Sequence, residues 1–157
     1  MMTSLISIFV VLGLLLGGGG VTAAAAQDSL PDQALYQIKL WTENLRLRLA
    51  DDAGDQFNLQ LQFAEQRMLE AQAMAQNGKP VPESLPARLQ SHLDACLALA
   101  ATAEASETQP LLDQLRTRLQ THDRDMDRTK LGDGKNDDPL LAQVRQMIQE
   151  RLRLVED

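Results

Sequence analysis

Apolar side chains recur along this chain at intervals of three and four, and prolines and glycines gather between the runs. Over residues 54–76, Phe57, Leu61, Ala64, Met68, Ala71 and Ala75 draw one stripe along a predicted helix about 35 Å long. Asn77-Gly78 supplies its C-cap pair. Over residues 85–105, Leu89, Leu93, Cys96, Leu97 and Ala100 share one face of a second helix. Pro110 is positioned to open another helix, whose seam is Leu112, Leu115, Leu119, His122 and Met126. Pro139 opens a last one in the same way, with Leu141, Val144, Ile148, Leu152 and Val155 inward.

The stretch before these is harder to read. Over residues 33–49, with Asp32 as N-cap, Leu35, Ile38, Thr42, Leu45 and Leu49 form the helical stripe, and Leu40, Trp41 and Leu47 lie beyond its edges. The alternation Leu45-Arg46-Leu47-Arg48-Leu49 resembles a strand but is too short to outweigh the helical spacing around it. So broad an apolar face predicts a helix that meets two neighbours and buries Trp41. The functional alternative leaves Tyr36, Lys39, Leu40, Trp41 and Leu47 as a docking patch for a protein partner. The predicted fold class is all-α: an antiparallel helical bundle or paired helical hairpins of about five helices.

The apolar stretch over residues 5–16, the glycines after it and Ala24-Ala25-Ala26 read as a signal peptide over 1–26, cut before Gln27. An uncleaved N-terminal anchor is the other reading of the same residues. Either places residues 27–157, read as one helical domain with an acidic Gly/Asp linker near 130–139, in an exported compartment, periplasmic or extracellular. After cleavage no stable membrane insertion is expected. The net charge is -7, and no charged residue precedes Asp28, so this domain carries all of it. Wrapping nucleic acid requires the opposite sign. Cys96 is the single cysteine, which excludes an intrachain disulfide framework.

Candidate chemistry is sparse. His92 and Cys96 stand four apart on one helix, the spacing of half a metal site, and His122 is the remaining histidine. Asp123 to Asp138 is rich in acids and glycine, but neither register of a calcium loop places Gly and Glu where they are needed. Gly-x-Ser-x-Gly, His-Glu-x-x-His and a phosphate-cradling glycine loop are all missing. These observations predict a chain that is not an enzyme and takes no cofactor.

Two segments, LYQIKLWTENLRLRL and LQLQFAEQRMLEAQAM, resemble an exported helical domain of bacteria, the domain-of-unknown-function 5667 family. The matching residues are Leu35, Tyr36, Lys39 and Glu43, then Leu61, Ala64, Glu65, Arg67, Glu70 and Ala71. Gln37 stands where such domains often carry Pro. The likeness spans roughly residues 30–101 and implies export and helices; the family lends no activity. Read structurally, Lys39–Glu43 and Arg67–Glu70 are surface pairs on solvated helix faces.

The expected function is therefore an exported interaction or regulatory module of the bacterial envelope that binds a protein partner through a helical face. A small envelope chaperone is the alternative, although the Leu-Thr-x-x-Gln motif and basic cradle of familiar examples are missing. A metal-binding helical protein ranks third.

Overall fold

A computed structural model of the chain describes residues 26–133 and 139–156, with side chains over 26–127 and 139–155. Residues 1–25, all but the last of the predicted signal peptide, and residues 134–138 of the predicted linker lie outside the described residues. The chain divides between Arg46 and Leu47 into two compact units.

In the first unit, a series of turns precedes the helix. Ser29 N donates to the Ala26 carbonyl (3.0 Å), Gln33 N to the Leu30 carbonyl (2.9 Å), and Leu30 N to Gln33 Oε1 (3.0 Å). The chain is still turning at Tyr36, whose N–H reaches the Gln33 carbonyl at 3.1 Å. Helix α1, Tyr36–Arg48, therefore starts three residues later than predicted, and Asp32 is not its N-cap.

The second unit is built from α2 (Ala53–Gln76), α3 (Ser84–Thr102), α4 (Ala105–Asp133) and α5 (Pro139–Glu156). Asp52 caps α2 by accepting from Asp55 N at 2.7 Å. At the other end Lys79 N reaches the Met74 carbonyl and Gly78 N the Ala75 carbonyl, the paired bonds of a Schellman turn. Gly78 adopts φ 65°, a conformation that glycine enters without a Cβ penalty.

Cross-helix pairs give the topology. Phe57 meets Cys96 and Gln60 meets His92, so the partner number falls as the α2 number rises: α2 and α3 are antiparallel. Between α2 and α4 the numbers rise together, from Asn58–Gln114 to Gln72–Asp125, so these two run parallel. Arg145 of α5 reaches Asp123 and Asp127 of α4, and Arg151 reaches Asp94 of α3. All four helices pack on one another, with the hairpins α2–α3 and α4–α5 most closely joined.

The predicted stripes supply the core of this bundle. Every residue of the α2 stripe is buried; so are Leu89, Leu93, Cys96 and Ala100 of α3, Leu115, Leu119 and Met126 of α4, and Leu141, Val144, Ile148 and Val155 of α5. Leu97, Leu112, His122 and Leu152 are half-buried at the margins. A fully buried Leu or Phe contributes about 2 kcal/mol of transfer free energy, so the aliphatic layers dominate stability.

Two boundaries differ from expectation. The turn between α3 and α4 falls at Ala103-Glu104, where Ala103 is extended (φ -70°, ψ 162°), and neither residue is a Gly or Pro. Helix α4 thus begins at Ala105 and contains Pro110 in its second turn instead of starting there. Pro110 removes one N–H, but Ser106, which would have accepted it, is exposed, so water can serve its carbonyl. The helix also continues through Gly132 to Asp133, which shortens the predicted linker from its N-terminal side.

Candidate functional site

Helix α1 turns the expected orientation around. At 100° per residue, Tyr36, Lys39, Leu40 and Glu43 occupy one side and Ile38, Trp41 and Leu45 the opposite one. The first set is buried, Lys39 at 4% exposure and Glu43 at 7%. In the second set Trp41 is 51% exposed, Ile38 is exposed and Leu45 is half-buried. Leu49, just past the helix end, is 68% exposed. Of the stripe assigned inward from the sequence, Ile38 and Leu49 are exposed and Leu35, Thr42 and Leu45 half-buried, while the Lys39–Glu43 pair assigned to solvent is inside.

The physical reason is that two stripes share this helix. Tyr36, Leu40 and Leu47 are themselves spaced by four and seven, with Lys39 and Glu43 between them. Lys39 carries a long apolar stem, and its Nζ lies 3.5 Å from the carbonyl of buried Ser29. Neither Lys39 nor Glu43 is left without a further interaction. A satisfied charge can be buried, so an aliphatic stripe does not have to win the interior.

Of the five residues predicted to bind a partner, Trp41 alone is on the surface. Tyr36, Lys39 and Leu40 are buried, and Leu47 is half-buried. Ile38, assigned to the core, is exposed on the same side of α1 as Trp41, and Leu49, also assigned to the core, is exposed past the helix end. The charge on this surface is one-sided. From Gln33 to Ala50, the exposed charged residues are Arg46 and Arg48; acids resume at Asp51 and Asp52.

Within the second unit, α2 also buries a polar set. Phe63, Arg67, Glu70 and Met74 form a second inward face, roughly a third of a turn from the aliphatic stripe. Arg67 has no exposed surface, and its guanidinium Nη2 lies 3.3 Å from Glu70 Oε1. This pair, too, is a correction to the solvated face read from the sequence. Beside it His92 packs its ring on Phe63 at 5.7 Å and meets Gln60 Oε1 through Nδ1 at 2.7 Å. That acceptor selects the neutral tautomer with its proton on Nδ1. Burial, and then the positive charges of Arg67 and Arg88, push the His92 pKa down to about 4.

The metal candidates do not converge. Cys96 lies one turn beyond His92, yet its Sγ faces the Phe57 carbonyl at 3.9 Å. Burial pushes this thiol up to about 12, so it has no thiolate character at neutral pH. His122 sits on α4 and turns to α2, where its Nε2 lies 3.8 Å from Glu65 Oε1. The same carboxylate oxygen is 3.4 Å from Arg118 Nε. Among the described residues no three His, Cys, Asp or Glu side chains are grouped to hold an ion.

A recess of about 580 Å³ lies where the start of α2, the end of α3 and the first turns of α4 meet. Leu99, Pro110 and Leu111 give it apolar walls, and Asp52 and Glu107 stand at its margin. Both carboxylates have a structural explanation, since each complements the positive end of a helix. Ser106 lines the recess, and no histidine lines it with that hydroxyl. Among the described residues, no helix is long and apolar enough to cross a membrane.

The family model for a domain of unknown function, DUF5667, matches residues 28–151. This extends the likeness read from the sequence beyond α3, through α4 and into α5. Of the family-like residues, Tyr36, Lys39, Glu43, Leu61, Ala64, Arg67, Glu70 and Ala71 are all buried. The motif thus records an interior, charges included. No curated protein and no solved structure matches the chain.

Proposed function

The chain belongs to the DUF5667 family, and we propose that it serves as an exported, non-enzymatic interaction module of the bacterial envelope. In this reading it binds a protein partner through the outward face of α1. The carrying observation is that Ile38 and Trp41 stay exposed while Lys39 and Glu43 of the same helix are buried. Covering the surface that Ile38 and Trp41 still expose, about half of each, would gain about 1 kcal/mol apiece. Aromatic anchors of this kind recur at the centres of protein interfaces. The apolar leader before Asp28 supports the exported address.

A photo-crosslinking amino acid at position 41, in the full chain expressed in its own cells, tests the reading. One predominant crosslinked protein, missing when the probe is moved to exposed Leu154, is the expected result. A broad ladder of unrelated proteins would replace the module with a chaperone. Crosslinking indistinguishable between positions 41 and 154 would remove α1 as the binding face.

A further inference from the structure

The recess where α2, α3 and α4 meet is made of second-unit residues alone, so its chemistry is independent of the α1 face. We propose that this recess binds a small organic cation: a primary ammonium group carried on an apolar body. The site goes beyond the interaction-module reading and does not rest on it.

Size and walls favour a small molecule. At about 580 Å³ the recess falls within the range of small-molecule sites. Leu99, Leu111 and the Pro110 ring give it apolar surface, which an apolar ligand would remove from water. The four-carbon stem of a partner's lysine would leave much of this space unfilled.

The polar groups around it are acceptors. Asp52 commits Oδ1 to the α2 cap, 2.7 Å from Asp55 N, and keeps its second oxygen for solvent or a ligand. The carboxylate of exposed Glu107 has no hydrogen bond or ion pair among the described residues. Ser106 and Pro110 bracket a helical bond that proline cannot make, which leaves the Ser106 carbonyl as a third acceptor on the same wall. A primary ammonium brings three donors and no acceptor, the complement of this set. The surrounding chain repeats the sign. Residues 49–66 and 89–115 include every residue lining the recess; they contain no lysine or arginine, and they add Asp51, Asp55 and Glu104 beside the lining positions.

Other ligand classes fit less well. An anion would meet the two carboxylates that already stand at the positive ends of α2 and α4. A bare metal ion lacks ligands: among the described residues no three His, Cys, Asp or Glu side chains are grouped to hold one.

The test titrates the full, isotope-labelled chain with phenylpropylamine, phenylpropanol and phenylpropanoate. The amides of Gly54 and Ser106 and the methyl groups of Leu99 and Leu111 are followed by NMR. Saturable shifts of these signals are expected, with the amine bound about tenfold tighter than the alcohol at low salt and the carboxylate weakest. Asp52→Asn with Glu107→Gln should bring amine and alcohol to equal affinity. Asparagine still caps α2, so the thermal midpoint should hold. Equal binding of amine and alcohol to the unaltered chain, or a preference for the carboxylate, would overturn the cationic ligand. So would the same shifts with methylammonium, which has no apolar body. Tighter binding of Nα-acetyl-lysine methylamide than of phenylpropylamine would overturn the small molecule and assign the recess to a lysine of a partner protein. If none of these probes moves the four residues' signals, the recess is not a binding site, and the α1 reading is untouched.

Discussion

Helices α1 and α2 each bury a charged pair among apolar side chains, and they differ in what they leave outside. In α2 the aliphatic stripe from Phe57 to Ala75 goes inside, and a charged pair, Arg67 and Glu70, goes inside with it on a second face. In α1 the charged pair Lys39 and Glu43 is inside, while Ile38 and Trp41 remain out. Periodicity therefore marks a helix as two-sided without deciding which side is interior. Where a charged stripe is satisfied and an apolar one is left in water, the apolar one is available for something else.

The contrast can be broken most forcefully at Arg67. Arg67→Met should destabilise the fold by about 4 kcal/mol, because Glu70 is left buried beside a neutral side chain. Urea denaturation measures this, and joint replacement with Glu70→Leu should recover most of the loss. Leu93→Ala, in the aliphatic layer of α3, should cost about 3 kcal/mol as a cavity opens. If either residue behaves like a surface position, the two-faced interior of the bundle is wrong.

Acid sharpens the same comparison. His92 is held down to about 4 in the fold and titrates at its ordinary 6.5 when the chain unfolds. Between those values the unfolded chain binds more protons, so stability is complete above pH 6.5 and falls as the pH drops toward 4. The loss should reach about 3 kcal/mol, and His92→Gln should flatten that part of the profile. Asp52→Ala, which removes the α2 cap, should cost about 1 kcal/mol at neutral pH. Smallest is Leu49→Ser: a change within about 0.5 kcal/mol is expected at this exposed position, in contrast to Leu93.

Much of the bundle was legible in the sequence for a simple reason: in α2 through α5 the predicted apolar stripes at helical spacing are buried or half-buried, with Arg67 and Glu70 of α2 the charged residues that join them. Asn77-Gly78 and Pro139 marked their boundaries because glycine and proline act on the backbone itself. Ala103-Glu104 was hidden because both residues, and those around them, sit comfortably in helices, so tertiary packing sets that turn. The site was legible only in part. Trp41 was singled out, but its surroundings were inverted, since hydrophobicity alone ranks Lys39 and Glu43 as solvent-facing. The spacing of Tyr36, Leu40 and Leu47 was the signal for the true inner side. The charges of the family-like motif were likewise taken for surface when they mark the interior.

The arrangement of the hairpins has a kinetic consequence. The contact between Asp123 and Arg145 closes a loop of about 20 residues and that between Gln60 and His92 one of about 30, whereas Asn58 and Gln114 are separated by more than 50. Loop-closure entropy favours the nearer contacts, so α4–α5 and α2–α3 are set to form early and their association to complete the bundle. Slowing should then follow from weakening either hairpin, while loss of the α2–α4 contacts should chiefly hasten unfolding. The side-by-side run of two parallel helices is thereby the last part of this bundle to be assembled and the first to be released.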